Sequence, residues 1–260
     1  MSDTTPELIP PPRRFHFAWV PLLFLRPRQA FAKITAQNRG VWLTPMLILS
    51  ITALALVLVT GWLKQQAALA GEISLPPDYD YYTAEQQAQY MQAAQATQGP
   101  VFMYVLPGIA AILGVWFGWL LSGGLLYLVT TLLGGRNENN ASLNIVAWAS
   151  LPLALRDLVR AIATLINHRV IASPGISGFA PTGEGALFIF ISSLFALIDL
   201  YVIWKIVLLA IGIRTASSLP VGKAVLGSIL TVLFIFILQA LLGVAGASLS
   251  NLTFVRPFFF

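Results

Sequence analysis

Five long apolar blocks restrict what this chain can fold into. A helix needs about 20 apolar residues to cross the hydrocarbon core of a bilayer, at about 1.5 Å per residue. The blocks reach that length and lie roughly at residues 41–63, 105–133, 145–166, 187–212 and 224–247. Their apolar residues run on rather than alternating with polar ones, which excludes the strands of a membrane barrel. The sequence therefore predicts an all-α, polytopic integral membrane bundle with about five transmembrane helices.

The composition excludes a soluble domain of this length. Of the 260 residues, 57% are hydrophobic and 10% are charged, whereas soluble domains are about 45–50% apolar and about 25% charged. Too few charged side chains are present to cover a globule in water, so the expected partner of most of the surface is the lipid bilayer. The net charge of +5 comes from cations that flank the apolar blocks, and we therefore expect no nucleic-acid partner.

Lys and Arg are distributed unevenly between the predicted connections. With a cytoplasmic N-terminus, nine lie on that side and three on the other, counted over the loops and the two terminal segments. Cytoplasmic loops of membrane proteins carry an excess of these residues. We therefore expect a multi-pass protein of the cell membrane, the inner membrane of a prokaryote, with its N-terminus cytoplasmic and its C-terminus on the other side.

The blocks divide the chain into three regions. We predict a cytoplasmic N-terminal segment at 1–40, a five-span membrane domain at 41–247 with an outer loop at 64–104, and a short non-cytoplasmic tail at 248–260. Within the outer loop, Thr83 and Gln86 have the spacing of a capping box. This pair predicts a short polar helix that runs to about Gln95.

The N-terminal segment contains an amphipathic stretch. Phe31 and Ile34 lie on one side of a predicted helix that begins with Pro27, while Arg28, Lys33 and Gln37 point toward water. Arg26, just before this helix, is a further cation of the predicted membrane-surface site. Such a helix suits the membrane surface, where cations meet anionic headgroups. The alternative is that the cations only anchor the first span.

Four segments of the chain follow one another in a distinctive order. They are Arg26-Pro27-Arg28-Gln29-Ala30-Phe31 with Ile34, Trp42 and Pro45; Leu133-Gly134-Gly135; Ala147 to Pro152; and Trp204 to Gly212, which leads through Arg214 to Gly222-Lys223-Ala224. In order and spacing they resemble the Yip-domain family, in its prokaryotic type, over roughly residues 20–245. The resemblance implies five spans and a cytoplasmic N-terminus. Eukaryotic members are associated with small prenylated GTPases and vesicle traffic.

Charged residues inside the predicted spans are the strongest functional signal. Arg156, Asp157 and Arg160 fall in the third span, and Asp199 and Lys205 fall in the fourth. An unpaired ion at the centre of a span costs about 2.5–3.5 kcal/mol, so we expect these side chains to pair, with Asp199 level with Arg156. We interpret them as a structural clamp. An ion or proton pathway, or a site for a polar headgroup, is the alternative.

Small residues recur every fourth position in the second span. Ala110, Gly114, Gly118 and Ser122 share one helical face, and such a stripe lets another helix approach closely. We expect packing within the bundle, with a dimer interface as the alternative.

No residue pattern predicts a catalytic, metal or cofactor site. Cysteine is absent, and the two histidines, His16 and His168, fall on predicted opposite sides of the membrane, so neither a typical zinc cage nor an oriented base for a nucleophile is expected. Gly175-Ile176-Ser177-Gly178 has the glycine–serine–glycine pattern of an intramembrane protease, but it lies in a predicted loop. We therefore expect a non-enzymatic protein.

The function expected from the sequence is association within the membrane. The chain is interpreted as a Yip-like scaffold that binds a membrane-protein partner, a second copy of itself, or lipid, and that organises membranes or takes part in trafficking. The alternative is a transporter or permease subunit that uses the charged third and fourth spans.

The predicted orientation is testable because the chain has no cysteine. Single cysteines at Gln37, Gln89, Asn139 and Leu252 are probed in intact cells with a thiol reagent that does not cross the membrane. The cysteines at 89 and 252 should be labelled, and those at 37 and 139 should be protected. Labelling at 139 without labelling at 89 would reverse the orientation.

Overall fold

The structure is a computed structural model that describes residues 14–37, 39–71, 79–96, 98–171, 173–181, 183 and 185–255. The described chain folds into helices and contains no strand. The helices are α1 (Trp19–Leu25), α2 (Pro27–Thr35), α3 (Leu43–Leu69), α4 (Ala84–Ala96), α5 (Leu106–Leu132), α6 (Asn139–Ala149), α7 (Leu151–Asn167), α8 (Ala186–Leu197), α9 (Leu200–Ser217) and α10 (Val221–Val255). A π-helical turn, Val101–Val105, leads directly into α5.

Helices that can cross a membrane follow from the apolar blocks. Within the described ranges, four helical segments are long and apolar enough: Leu43–Leu69, Val101–Leu132, Leu200–Ser217 and Val221–Ala247. The predicted fold class, an all-helical membrane bundle, is confirmed. The predicted number of about five spans stays a prediction.

The predicted third and fourth spans are each built from two helices. α6 and α7 meet at Ser150, and Pro152, which has no N–H to donate, lies in the first turn of α7. α8 and α9 meet at Ile198 and Asp199, where the backbone of Asp199 is extended at φ −148° and ψ 176°. Backbone polar groups that have no helical partner at the second break form hydrogen bonds with nearby residues, as described below for the charge cluster. Both interruptions therefore lie where polar side chains enter an apolar segment.

Five helices enclose the centre of the bundle. α3 packs against α5 and α7, and α9 packs against α7 and α10. α10 also packs against α5, and α8 packs on α10. Large apolar side chains cover the outside, among them Ile51 (57% exposed), Phe117 (66%) and Phe234 (53%). In water such a surface would aggregate, but in a bilayer it faces lipid.

The helices α1 and α2 close one end of the bundle. The α5–α6 and α9–α10 turns lie at the same end, which is called the basic end below. Phe31 and Ile34 of α2 are fully buried, because α2 packs on α6 and α9. Gly212 of α9 makes room for Phe31. A Cβ on this glycine would lie 2.6 Å from Cγ2 of Ile145 and 3.0 Å from Cε1 of Phe31.

This packing corrects one prediction from the sequence. Phe31 and Ile34 were expected to face the membrane surface, but they face the protein. An amphipathic face can be buried by helices as well as by lipid, and the sequence pattern is the same in both cases. The cations Arg26, Arg28 and Lys33 are exposed, and their role at the membrane surface stays a prediction.

Asn144 of α6 fixes the turn that joins α2 to α3. Its Oδ1 accepts a hydrogen bond from the backbone N–H of Val41 at 2.8 Å, and its Nδ2 donates to the carbonyl of Arg39 at 2.9 Å. The indole N–H of Trp148, one turn further along α6, donates to the carbonyl of Val41 at 3.0 Å. These bonds satisfy backbone groups that no helix serves, in a place where Asn144 is 1% exposed.

One helix start forms as the sequence predicts, and a glycine ends another helix. Thr83 and Gln86 make the capping box: the Thr83 N–H donates to Oε1 of Gln86 at 2.9 Å, and the Gln86 N–H donates to Oγ1 of Thr83 at 3.3 Å. At the end of α5, Gly134 has a φ of +89°, a left-handed conformation that suits glycine. The ammonium of Lys223 donates to the carbonyl of Leu133 at 2.8 Å and so ties α10 to the same turn.

Replacing Asn144 by Ala should lower the free energy of unfolding in detergent by about 2–4 kcal/mol, because two hydrogen bonds are lost and a buried backbone N–H loses its partner. The matched control is Asn140→Ala, at an exposed position in the first turn of the same helix, which should change stability by less than about 0.5 kcal/mol. Equal losses in the two variants would show that the Asn144 hydrogen bonds do not hold the turn.

Candidate functional site

The charged residues of α7 lie on one side of the helix because of their spacing. Arg156 and Arg160 are four residues apart, so their side chains lie one above the other on the same face. Asp157 is buried beside them. α7 packs on α3 and α9, which directs this face into the bundle.

Asp199 meets both arginines from the break between α8 and α9. Its Oδ2 accepts a hydrogen bond from Nη2 of Arg160 at 3.3 Å and lies 3.7 Å from Nη1 of Arg156. Its Oδ1 accepts from the backbone N–H of Val202 at 3.0 Å and so caps α9. One carboxylate therefore neutralises the cations of α7 and also starts the next helix.

The second carboxylate binds only within α7. Oδ1 of Asp157 accepts from Nε of Arg156 at 3.3 Å. The charge cluster is defined here as Arg156, Asp157, Arg160 and Asp199. The sequence pointed to Arg156 as the partner of Asp199, whereas the structure brings Arg160 closer to it.

Lys205 stands apart from the carboxylates. Within the described residues it makes no ion pair or hydrogen bond. Its side chain lines the cavity at the centre of the bundle, one and a half turns along α9 from Asp199. The structure therefore brings together four of the five charged residues that the sequence singled out.

The central cavity has a volume of about 380 Å³, and the three α7 residues of the charge cluster face it. Apolar residues of α3, including Leu49, Ala53 and Val57, form one wall, and α5 forms another. Arg156, Asp157, Arg160 and Lys205 line it from α7 and α9. Its described lining comes entirely from helices, without residues of the turns at either end of the bundle.

The small-residue stripe of α5 borders this cavity instead of touching a helix along its whole length. A Cβ built on Gly114 or Gly118 meets no atom within 4 Å. Ser122, at the other end of the stripe, is 5% exposed, and all three residues line the cavity, while Ala110 is exposed. The expected close packing along the stripe is therefore absent at both glycines.

Gln239 and Trp119 also line the cavity, although sequence reasoning did not single them out. A polar residue in the last apolar block was the available signal for Gln239. For Trp119 there was none, because an aromatic residue in a span is ordinary. Its indole N–H donates to the carbonyl of Leu143 at 2.9 Å and so fixes α6 against α5.

The glycine–serine–glycine segment has a structural use. The backbone N–H of Ile176 donates to the carbonyl of Phe195 at 3.1 Å, at the end of α8. Gly175 has a φ of +61°, and a Cβ there would lie 2.6–2.8 Å from three carbonyl oxygens of residues 195, 196 and 198. The hydroxyl of Ser177 donates to the carbonyl of Pro174 at 2.7 Å. The segment thus supports the break before α9.

In the described part of the chain, no group of three or more His, Asp or Glu side chains is placed to hold a metal ion. The carboxylates of the charge cluster are instead engaged by arginines.

Separating the two charges of the clamp should destabilise the protein. Asp199→Asn keeps an oxygen that caps α9 but removes the charge, and Arg160→Gln removes the nearer cation. Each should lower the free energy of unfolding in detergent by about 3 kcal/mol. This is the lower end for a broken buried pair, because the side chains of Arg160 and Asp199 are 24% and 13% exposed.

The double variant should lose clearly less than the sum of the two single losses, because no charge is left alone. Arg169→Gln is the matched control, since Arg169 is exposed just beyond α7, and it should be nearly neutral. Additive losses in the double variant would show that the pair is not coupled.

Comparison with known families identifies the chain. The Yip1 domain matches residues 22–243, which include the charge cluster, the first three spanning segments and most of the fourth. The comparisons with curated proteins and with solved structures returned no match. The family resemblance drawn from the sequence is confirmed, and the chain belongs to the Yip1-domain family of membrane proteins.

Proposed function

We propose that this protein is a non-enzymatic membrane scaffold that acts by association with membrane-protein partners, with a second copy of itself, or with lipid. It lies in the cell membrane with the basic end and the N-terminus in the cytoplasm. The match to a non-catalytic membrane family supports the proposal, and the excess of cations at the basic end supports the orientation.

The exposure of α5 carries the association part of the proposal. Of the most apolar window in Val101–Leu132, 6% is buried within the chain, against 28% to 33% in the other three spanning segments. α5 packs on α3, α6 and α10, but most side chains of this window stay exposed and offer a surface to another helix. Phe117, which is 66% exposed, lies near the middle of that length.

The pairing within the charge cluster supports a scaffold over a transporter. Arg156, Arg160 and Asp199 are bound to one another, so their charges are used to hold α7 against the start of α9. In a transporter these groups would have to exchange partners during the transport cycle. Each time an ion pair opened, an unpaired ion would be exposed to hydrocarbon.

Cross-linking in membranes tests the proposal. A cysteine at Phe117 carrying a photoreactive group should give adducts with a second copy or with another membrane protein. The matched control is a cysteine at Ile51, which is 57% exposed on α3 and should give mainly lipid adducts.

A result of the opposite kind would favour transport. If the cysteine at 117 gave no more protein adduct than the one at 51, and if proteoliposomes showed an ion or proton flux that Asp199→Asn abolished, the scaffold proposal would be wrong.

A further inference from the structure

The groups that face the central cavity carry more positive than negative charge. Arg156, Arg160 and Asp157 line it from α7 and Lys205 lines it from α9. Asp199, at the cap of α9, binds the two arginines but is not part of the lining. The lining residues of α3, α5, α6 and α10 are uncharged, with Gln239 the polar group on α10. The two carboxylates are occupied by the arginines, so the ammonium of Lys205 is left without an anion.

An ammonium inside a membrane bundle has a strong reason to meet an anion. Hydrocarbon does not solvate it, and intramembrane ions pair with one another or face a polar space. Asp199 does not pair with Lys205: its oxygens bind Arg160, Arg156 and the N–H of Val202, and neither oxygen lies within 4.0 Å of the Lys205 ammonium. Among the described residues no carboxylate is left for Lys205, so a bound anion would meet this need.

The rest of the cavity is suited to an apolar chain. Leu49, Val57 and Leu153 are among its lining residues, and Gly114 and Gly118 leave open space beside them. Its volume of about 380 Å³ falls within the roughly 300–1,000 Å³ of ligand pockets. A cationic pole in an apolar space that is lined by spanning helices fits an anionic amphiphile better than a free anion, because the acyl chain of the amphiphile fills the apolar part of the cavity.

We propose that the central cavity binds one anionic phospholipid, whose phosphate contacts Lys205 and whose acyl chain lies along the glycine face of α5. This inference rests on the proposed function in its lipid-binding form. The ion pairs of the charge cluster hold the helices around the site in place, and Lys205 binds the phosphate of the lipid.

Lipid titration of the purified full-length protein tests whether binding depends on the charge of the lipid and on Lys205. Phosphatidylglycerol added in neutral detergent should raise the midpoint of thermal unfolding, since a ligand that binds the folded state stabilises it. Phosphatidylcholine should raise it much less. Lys205→Gln should weaken the apparent affinity for phosphatidylglycerol at least about tenfold, as expected for loss of one charged contact.

Two further variants control for charge and folding. Lys64→Gln removes an exposed cation near the end of α3 and should bind phosphatidylglycerol like the wild type. Lys205→Arg keeps the positive charge and should retain most of the binding, so a folding defect of the Gln variant is distinguished from loss of the contact.

Filling the cavity tests the site without touching a charge. Gly118→Leu places a side chain in the open space of the cavity and should abolish the shift caused by phosphatidylglycerol. Gly124→Leu is the matched control. A Cβ at Gly124 also meets nothing within 4 Å, but Gly124 is outside the cavity lining, so this variant should respond normally.

The outcomes separate the possible ligands. An equal response to both lipids in the wild type, or an unchanged response in Lys205→Gln and Gly118→Leu, would overturn the lipid site. A Lys205-dependent shift with inorganic phosphate or glycerol phosphate of the same size as with the lipid would overturn the lipid as the source of the anion. A Gly118→Leu variant that lost a bound membrane protein instead of lipid would assign the cavity to a partner helix.

These results are independent of the scaffold test. Loss of the phospholipid preference together with intact cross-linking at position 117 would remove only the lipid site. An Asp199-dependent flux would remove the proposed function itself.

Discussion

Hydrocarbon does not solvate ions, and this constraint accounts for the arrangement of the bundle around Asp199. An arginine of α7 that entered the bilayer without a counter-ion would be costly. The carboxylate of Asp199 meets Arg160 at 3.3 Å and Arg156 at 3.7 Å, and it also caps α9. The helix break before α9 therefore places the counter-ion at the level of the cations. The same break gives α9 a satisfied N-terminus and lets α8 leave in a separate direction to pack on α10.

A second set of polar contacts serves the basic end. The turn between α2 and α3 leaves backbone groups without helical partners, and Asn144 and Trp148 supply them. Once that turn is fixed, α2 lies across α6 and α9, with Phe31 against Gly212. The N-terminal segment is thereby packed on α9, the helix that Asp199 caps at its other end. A partner that displaced α2 would act on the same helix that carries Lys205.

Much of this fold follows from the sequence, and the exceptions have physical reasons. The length of the apolar blocks predicts the spanning helices, and the Thr83–Gln86 spacing predicts the start of α4. The cost of an unpaired ion in hydrocarbon predicts that Asp199 pairs with an arginine. The burial of Phe31 and Ile34 was missed because an amphipathic helix has the same pattern whether lipid or protein covers it. The Asn144 contacts were missed because their partners are backbone groups of an irregular turn, which carry no side-chain signature.

The cavity was hidden from the sequence for a related reason. Gly114 and Gly118 permit another helix to pack closely, but they leave open space when no helix packs along their face of α5. Only the positions of α3, α7 and α10 decide between the two. The absence of an ion pair at Lys205 within the described residues likewise depends on the geometry of Asp199, which lies against the arginines of α7.

The central claim is that the intramembrane ions form a closed clamp between α7 and the break before α9. Solid-state NMR on the protein in lipid bilayers measures it directly, with ¹⁵N in the arginine guanidinium groups and ¹³C in the aspartate carboxyl groups. A strong dipolar coupling from Arg160 to the carboxyl carbon of Asp199 should appear, matching the Nη2 to Oδ2 distance of 3.3 Å. In Arg160→Lys the coupling from Arg160 should be lost, and the coupling from Arg156, whose Nη1 lies 3.7 Å from Oδ2 of Asp199, should remain. A spectrum in which Asp199 shows no arginine coupling, and contacts water instead, would contradict the clamp.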